Sequence, residues 1–156
     1  MNYEIVNLEE KQVVGLVKET TNNNNKAIKD IGILWEEFFV KGYYKNIKNK
    51  RDNKPIGLYT DYKGDFTKPY NFLCCCEVNE AYDVKYPLVR KTISGGKYAK
   101  FIIKGDVQKS VGEFWMKLWK MNLDRKYYCD FEEYQNNDED IQNQEIHIYI
   151  SINQYC

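Results

Sequence analysis

The chain has 156 residues, 43% of them hydrophobic, and equal numbers of acidic and basic side chains, so its formal net charge is zero. That length suits one domain, or two half-domains sharing a core, and the balanced charge excludes the basic footprint of a nucleic-acid-binding protein. No apolar run approaches the roughly 18 residues of a membrane-spanning helix.

The densest basic run, "KNIKNKRDNK" (45–54), reads as a solvated loop. The opening "MNYEIVNLEEKQ" has neither a basic nor an apolar signal region, so a cytoplasmic protein with reduced thiols is expected. Its five cysteines (74, 75, 76, 129, 156) are odd in number and three are contiguous, which makes a poor disulfide framework. Asn, Lys, Ile and Tyr are abundant together, as AT-rich codon usage would produce, so the 14 tyrosines alone argue little for an aromatic site.

In chain order, residues 3–19 read as a first strand region, with Gly15 inside "QVVGLVKET" suggesting a bulge. "TTNNNNKAIKD" offers several helix N-caps. From Lys26 the pattern turns helical: Ile28, Ile31, Trp35, Phe38 and Phe39 share one face, and Gly42 marks the stop. "IGLYTDY" (56–62) and "NFLCCCEV" (71–78) are strands on either side of a Gly/Pro turn. "NEAYDVKYP" is irregular, and residues 88–106 carry strand residues on both sides of Gly95-Gly96, which reads as a hairpin turn. "VQKSVGEFWMKLWKMN" (107–122) is a helix with an apolar stripe of Val111, Phe114, Trp115, Leu118 and Trp119. "KYYCDFEEY" (126–134) and "EIHIYISI" (145–152) close the chain as strands around an acidic loop. In the last strand Ile146, Ile148, Ile150 and Ile152 lie on one face and Glu145, His147, Tyr149 and Ser151 on the other.

The order strand, helix, strand, strand thus occurs twice. "IGILWEEFF" (31–39) aligns with "VGEFWMKLW" (111–119) at a spacing of 80 residues, matching Gly32 to Gly112 and Trp35 to Trp115. Each helix is followed by a strand ending in Tyr, "IGLY" (56–59) and "FEEY" (131–134). The fold class read from this is α+β: duplicated β-α-β-β units, pseudo-repeats at roughly 1–80 and 85–156, within a single domain spanning 1–156. One helix over a few antiparallel strands cannot bury both faces, so the two copies are expected to share a core.

Four motifs in order resemble the GyrI-like small-molecule-binding family, the effector-binding domain of AraC-type and MerR-type transcription regulators. The first two lie in "GLYTDYKGDFTKPYNFLCCCEV", through Leu58, Tyr59, Asp61, Tyr62, Asp65, Tyr70, Leu73, Glu77 and Val78. "GGKYAKFIIKGD" matches at Gly96, Tyr98, Ala99, Phe101, Lys104 and Gly105, and "DFEEY" with "EIHIYISI" resembles the family's closing strands. Cys75 departs from a frequent glycine and Ser151 from a proline. The resemblance implies a joined antiparallel sheet with two helices flanking a groove for hydrophobic, cationic or aromatic molecules. With no helix-turn-helix ahead of it, the expected form is a stand-alone one.

By that resemblance Glu132 faces the groove, although Glu133 points the opposite way and competes for the role. Glu77 also matches. Trp35, Phe39, Tyr59, Tyr62, Trp115, Trp119 and Tyr134 sit on the elements that border the groove, where aromatic faces attract planar and cationic ligands; the alternative for each is ordinary core packing. A buried carboxylate among aromatics is costly unless a cation or hydrogen bonds compensate it, and that cost gives selectivity for cations.

His147, the only histidine, has no nucleophile partner at useful spacing. No metal or cofactor motif appears, and neighbouring cysteines on a strand face opposite ways, so the triple cysteine reads as packing. The leading expectation is an effector-binding domain for an amphipathic or cationic small molecule, with a transcription regulator or a topoisomerase as the protein partners the family suggests, and no direct nucleic acid or membrane contact. Two alternatives remain: a hydrolase of strained-ring aromatic compounds using Glu132 with Tyr59 or Tyr134, and a protein-interaction module resembling a gyrase inhibitor.

Overall fold

Alternation along the strands sends side chains into separate cores. In β4 (Tyr70–Val78), Phe72, Cys74 and Cys76 turn into the core beneath the first helix, while Leu73 and Cys75 turn into a core on the other face. The computed structural model describes residues 1–136 and 140–153; residues 137–139 in the acidic loop and 154–156, with Cys156, lie outside the described residues. The remaining elements are β1 (Glu4–Leu8), β2 (Lys11–Thr20), α1 (Lys26–Val40), α2 (Tyr43–Asn46), β3 (Ile56–Thr60), β5 (Val89–Ile93), β6 (Gly96–Gly105), α3 (Val107–Trp119), β7 (Arg125–Tyr134) and β8 (Gln144–Ile152).

All eight strands form one antiparallel sheet in the order β1-β6-β8-β7-β3-β4-β2-β5. The order is symmetric about the β7·β3 pair: β3 answers β7, β4 answers β8, β2 answers β6, and β5 answers β1. The two expected β-α-β-β units are therefore present and joined edge to edge.

Three expectations about the strands need correction. Residues 3–19 form two strands, because the chain leaves one half of the sheet and enters the other between Leu8 and Lys11. Likewise β5 and β6 do not pair as a hairpin; β5 pairs with β2 and β6 pairs with β1 and β8. The register runs unbroken through this crossing, with Leu8 opposite Gly96 and Lys11 opposite Ile93. The backbones come close there, and a Cβ on Gly95 would stand 3.1 Å from both the Leu8 carbonyl oxygen and the Glu10 amide. Gly15 also serves close approach rather than a bulge. It sits in regular register opposite Cys75 and Val89, where a Cβ would run into the Cys74 carbonyl.

The sheet curves so that both of its ends contribute to one inner core. Val13 and Ile93 from one end, Tyr98 from the other, and Leu58, Leu73, Cys75, Phe131 and Tyr149 from between share that cluster. The helices cover the opposite face. α1 buries Ala27, Leu34 and Phe38, with Ile31 beside them, against β2 and β4. Ile28, expected on this face, is 75% exposed because it lies a quarter-turn away from the buried stripe. α3 buries Phe114 and Leu118 against β6 and β8, and its N-terminus is capped by the Asp106 carboxylate, which accepts from the Lys109 amide at 2.9 Å. Each buried phenylalanine contributes roughly 2–3 kcal/mol.

The sulfurs of "CCC" are explained by the same symmetry. Gly57 pairs with Cys74 on one side and with Glu132 on the other; Glu132 in turn pairs with Ile148. Cys74 and Cys76 thus stand where the second half carries Ile148 and Ile150, all four facing a helix. Burial pushes these thiols up, Cys76 to about 12, so they act as small hydrophobes.

Candidate functional site

With α1 packed over β2 and β4 and α3 over β6, the central strands β3 and β7 lie between the two helices. The local twofold passes through Gly57 and Glu132, which face each other across this central pair. Tyr59 and Tyr134 follow two residues later on their respective strands and therefore point to the same face. Both donate to the Glu132 carboxylate, Tyr59 to Oε1 at 2.7 Å and Tyr134 to Oε2 at 2.8 Å. From α3, Trp115 Nε1–H donates to Oε1 at 2.9 Å.

Glu132 is only 2% exposed. Its neighbour Glu133 projects to the opposite face, where it accepts from Gln135 Nε2 at 2.9 Å, so of the two glutamates Glu132 is the one on the helix-covered face of the sheet. The space opposite Glu132 is tight: a Cβ on Gly57 would lie 3.2 Å from Oε2 and 3.1 Å from the Phe72 ring, so either side chain would have to give way. Loss of water raises the Glu132 carboxyl above its ordinary range, and the three donors only partly counter this. Burial, reinforced by the nearby carboxylate, pushes the Tyr59 and Tyr134 phenols well up. No lysine or arginine forms an ion pair with Glu132 among the described residues.

The aromatic walls differ. On α1, Trp35 stacks on Phe39 with ring centroids 5.7 Å apart and meets Tyr134 edge-on at 5.6 Å. Its indole N–H makes no hydrogen bond among the described residues. On α3, Trp115 packs against Tyr59 at 4.8 Å. Trp119, one turn on, stacks at 5.4 Å on Phe66 from the loop between β3 and β4; that loop is tied to the start of the first helical segment by Asn22 Nδ2–H donating to the Phe66 carbonyl at 2.9 Å.

Of the nine residues expected at the site, Tyr59, Tyr134 and Trp115 gather on Glu132, Trp35 meets Tyr134 with Phe39 stacked on it, and Trp119 stacks apart from them on Phe66. Tyr62 lies alongside but serves a second network, its hydroxyl donating to Asp130 Oδ2 at 2.7 Å. It also lines a polar cleft of about 550 Å³ with Asp61, Lys91 and Tyr127, outside the groove. Glu77 is elsewhere, held by Lys11 at 3.2 Å and Arg51 at 3.1 Å. His147 Nε2 pairs with Glu145 Oε2 at 2.8 Å, away from Glu132.

Sequence reasoning missed Arg125 and Asp130. They form a buried ion pair at 2.8 Å, with Asp130 Oδ1 also accepting from the Ser151 amide at 2.8 Å and the Ser151 hydroxyl at 3.1 Å. The Arg125 guanidinium lies 4.2 Å over the Tyr127 ring and 5.8 Å over that of Trp115. The pair depends on a register shift between Arg125 and Asp130, where Tyr127 adopts a φ of 54°; no periodicity in the sequence signals it. Among the described residues no three His, Cys, Asp or Glu side chains gather as a metal requires, and no helix is long and apolar enough to cross a membrane.

Residues 4–152 match the family profile described as Cass2, integron-associated effector binding protein. Among solved structures, an integron cassette protein from the mobile metagenome of Vibrio cholerae is similar at 28% identity and a TM-score of 0.77, over 97% of this chain and 95% of its own. SAV2435, solved bound to tetraphenylphosphonium, has a TM-score of 0.77 at 18% identity over 98% and 94% of the two chains. A bacterial transcription regulation protein from Staphylococcus aureus MU50 has 0.75 at 20% identity over 99% of each. At such identities the likeness of the last two bears on the fold. No curated protein matches the chain in sequence. With its GyrI-like sheet, its two helices and a profile match over nearly its whole length, the chain belongs to the integron-associated effector binding proteins and is a small-molecule-binding domain.

Proposed function

We propose that the groove binds lipophilic, aromatic cations, with Glu132 as the counter-charge, for transcription-linked sensing or for sequestration. One observation carries this reading: a buried carboxylate that, among the described residues, has neutral donors and no cationic partner. Such a group is uncompensated in charge, so a cation entering beside it gains Coulomb energy that solvent does not screen. The aromatic walls supply apolar area and cation–π attraction, about 0.5–2 kcal/mol per ring. The tetraphenylphosphonium complex of SAV2435 is in keeping with the reading.

The test is a tryptophan-fluorescence titration with rhodamine 6G, tetraphenylphosphonium and naphthylmethyl ammonium compounds. Quenching that saturates is expected, and Glu132→Gln, which keeps the side-chain shape, should weaken it at least tenfold. A folded protein that responds to none of these cations overturns the reading.

A further inference from the structure

The buried Arg125–Asp130 pair borders the polar cleft outside the groove. Two rings that line the cleft, Tyr62 and Tyr127, also touch the pair: Tyr62 donates to Asp130 Oδ2, and the Tyr127 ring centre is 4.2 Å from the Arg125 guanidinium. The cleft is lined from β5, from the end of β3 and from the register shift in β7. Its volume of about 550 Å³ falls within the roughly 300–1,000 Å³ of small-molecule sites.

Hydrogen-bond capacity within the pair is unbalanced. Asp130 is saturated. Its Oδ1 accepts from the Ser151 amide and hydroxyl, and its Oδ2 from Tyr62 and from Arg125 Nη2, which fills the acceptor positions of a carboxylate. Arg125 is not saturated. Its Nε and Nη1, which carry most of the guanidinium's N–H donors, are buried and meet no acceptor among the described residues. The side chain is only 4% exposed. Buried donors of a charged group are unfavourable until an acceptor reaches them, and Asp130 has none to spare.

The cleft has the charge and the surfaces for one kind of acceptor. Its charged lining is Arg90, Lys91 and Asp61, a balance of one positive charge. Lys91 is held by Asp61 at 2.7 Å, whereas Arg90 forms no ion pair among the described residues. Tyr62 and Tyr127 meet edge-on at 5.7 Å, and Tyr128 beside them is 55% exposed. Asp61 and Tyr127 both hold left-handed backbone, with φ of 53° and 54°, which non-glycine residues adopt at a cost.

We infer that this cleft is a second ligand site, separate from the groove, for a small aromatic carboxylate. The ring lies among the three tyrosines, and the Tyr127 ring turns aside so that the carboxylate accepts from Arg125 Nε and Nη1. Arg90 supplies the excess positive charge at the rim. A planar guanidinium fork matches a carboxylate, and a monoanion matches the balance of the lining, which a phosphate dianion exceeds. The inference does not rest on the cation-binding reading.

The experiment measures binding of 1-naphthoate and of neutral 1-naphthamide calorimetrically at pH 7, to the wild type, Arg125→Lys and Arg90→Gln, with a crystal structure of the naphthoate complex. Naphthoate should bind at least tenfold more tightly than the amide. Arg125→Lys, which keeps the charge facing Asp130 and removes the fork, should weaken naphthoate by more than tenfold, and Arg90→Gln by about threefold. Arg90 is exposed, so its variant decides the matter where Arg125→Lys does not fold. No naphthoate binding to folded protein, equal affinity for the amide, or unchanged affinity in the folded variants overturns the inference. So does a complex in which naphthoate lies elsewhere and water alone meets Arg125 Nε and Nη1.

Discussion

On the α1 side of the groove, Trp35 stacks on Phe39, and its indole N–H donates to none of the described residues. On the α3 side, the equivalent Trp115 donates to Glu132 and lies beneath Arg125. The strands and helices around these residues correspond position by position, down to Tyr59 and Tyr134. The contrast begins at the axis, where a side chain present in one half must be absent in the other. Two glutamates facing each other there would be two like charges in a dry space; glycine opposite glutamate resolves the conflict and supplies the room that the carboxylate occupies. A duplicated frame becomes a one-sided site through that single pair.

The most damaging way to break the comparison is Gly57→Leu, which forces a side chain against Phe72 and Glu132. Urea unfolding should show a loss of about 3 kcal/mol. Next come the two tyrosines. Tyr134→Phe strips Oε2 of its only donor and should cost about 2 kcal/mol, whereas Tyr59→Phe leaves Oε1 with Trp115 and should cost about 1 kcal/mol. Identical losses would mean that the two oxygens are not differently served.

The pH dependence of binding follows from the raised carboxyl of Glu132. Its protonated form is favoured on folding, so its stabilising effect is full below the ordinary value of 4.5 and is lost as pH rises through the folded value. Cation affinity runs the other way. It is low while Glu132 is neutral and climbs, by up to about tenfold per pH unit, as the carboxyl ionises above 4.5. Glu132→Gln should give a flat profile in the same fluorescence titration.

Smaller still is the response to Gly32→Ala and Gly112→Ala. Both Cβ positions are open and both glycines sit inside helices, so each substitution should stabilise by about 0.5–1 kcal/mol in thermal melts. The least effect of all is expected from thiol reagents. In a Cys156→Ser variant, buried Cys74, Cys75, Cys76 and Cys129 should stay unreactive until the protein unfolds; a fast-reacting thiol in the folded state would contradict the packing role given to them.

Local features of the sequence carry much of this. The helical repeat aligned Trp35 with Trp115 and Gly32 with Gly112, and the structure places both pairs as counterparts. Matching "IGLY" with "FEEY" also makes Gly57 the counterpart of Glu132, the pair that the structure sets opposite each other. What stayed hidden depends on distance along the chain. Ile28 read as buried because spacing alone does not fix which way an apolar arc turns. The pairing of β1 with β6 and of β5 with β2 joins segments some 75 to 95 residues apart, and no local pattern distinguishes it from a hairpin. The Arg125–Asp130 pair needs a bulge whose side-chain directions escape simple alternation.

The crossing at Leu8–Lys11 and Ile93–Gly96 bears on how such a molecule can be divided or assembled. Each half lends its leading strand to the other, so a cut within 79–87 leaves two fragments that each carry a strand belonging to the opposite body and lack their own. Neither fragment can complete its sheet alone, because in the intact chain each outer strand is supplied by the other half. The arrangement has the geometry of a strand-exchanged dimer written into one polypeptide, in which a covalent tether replaces the concentration dependence of association.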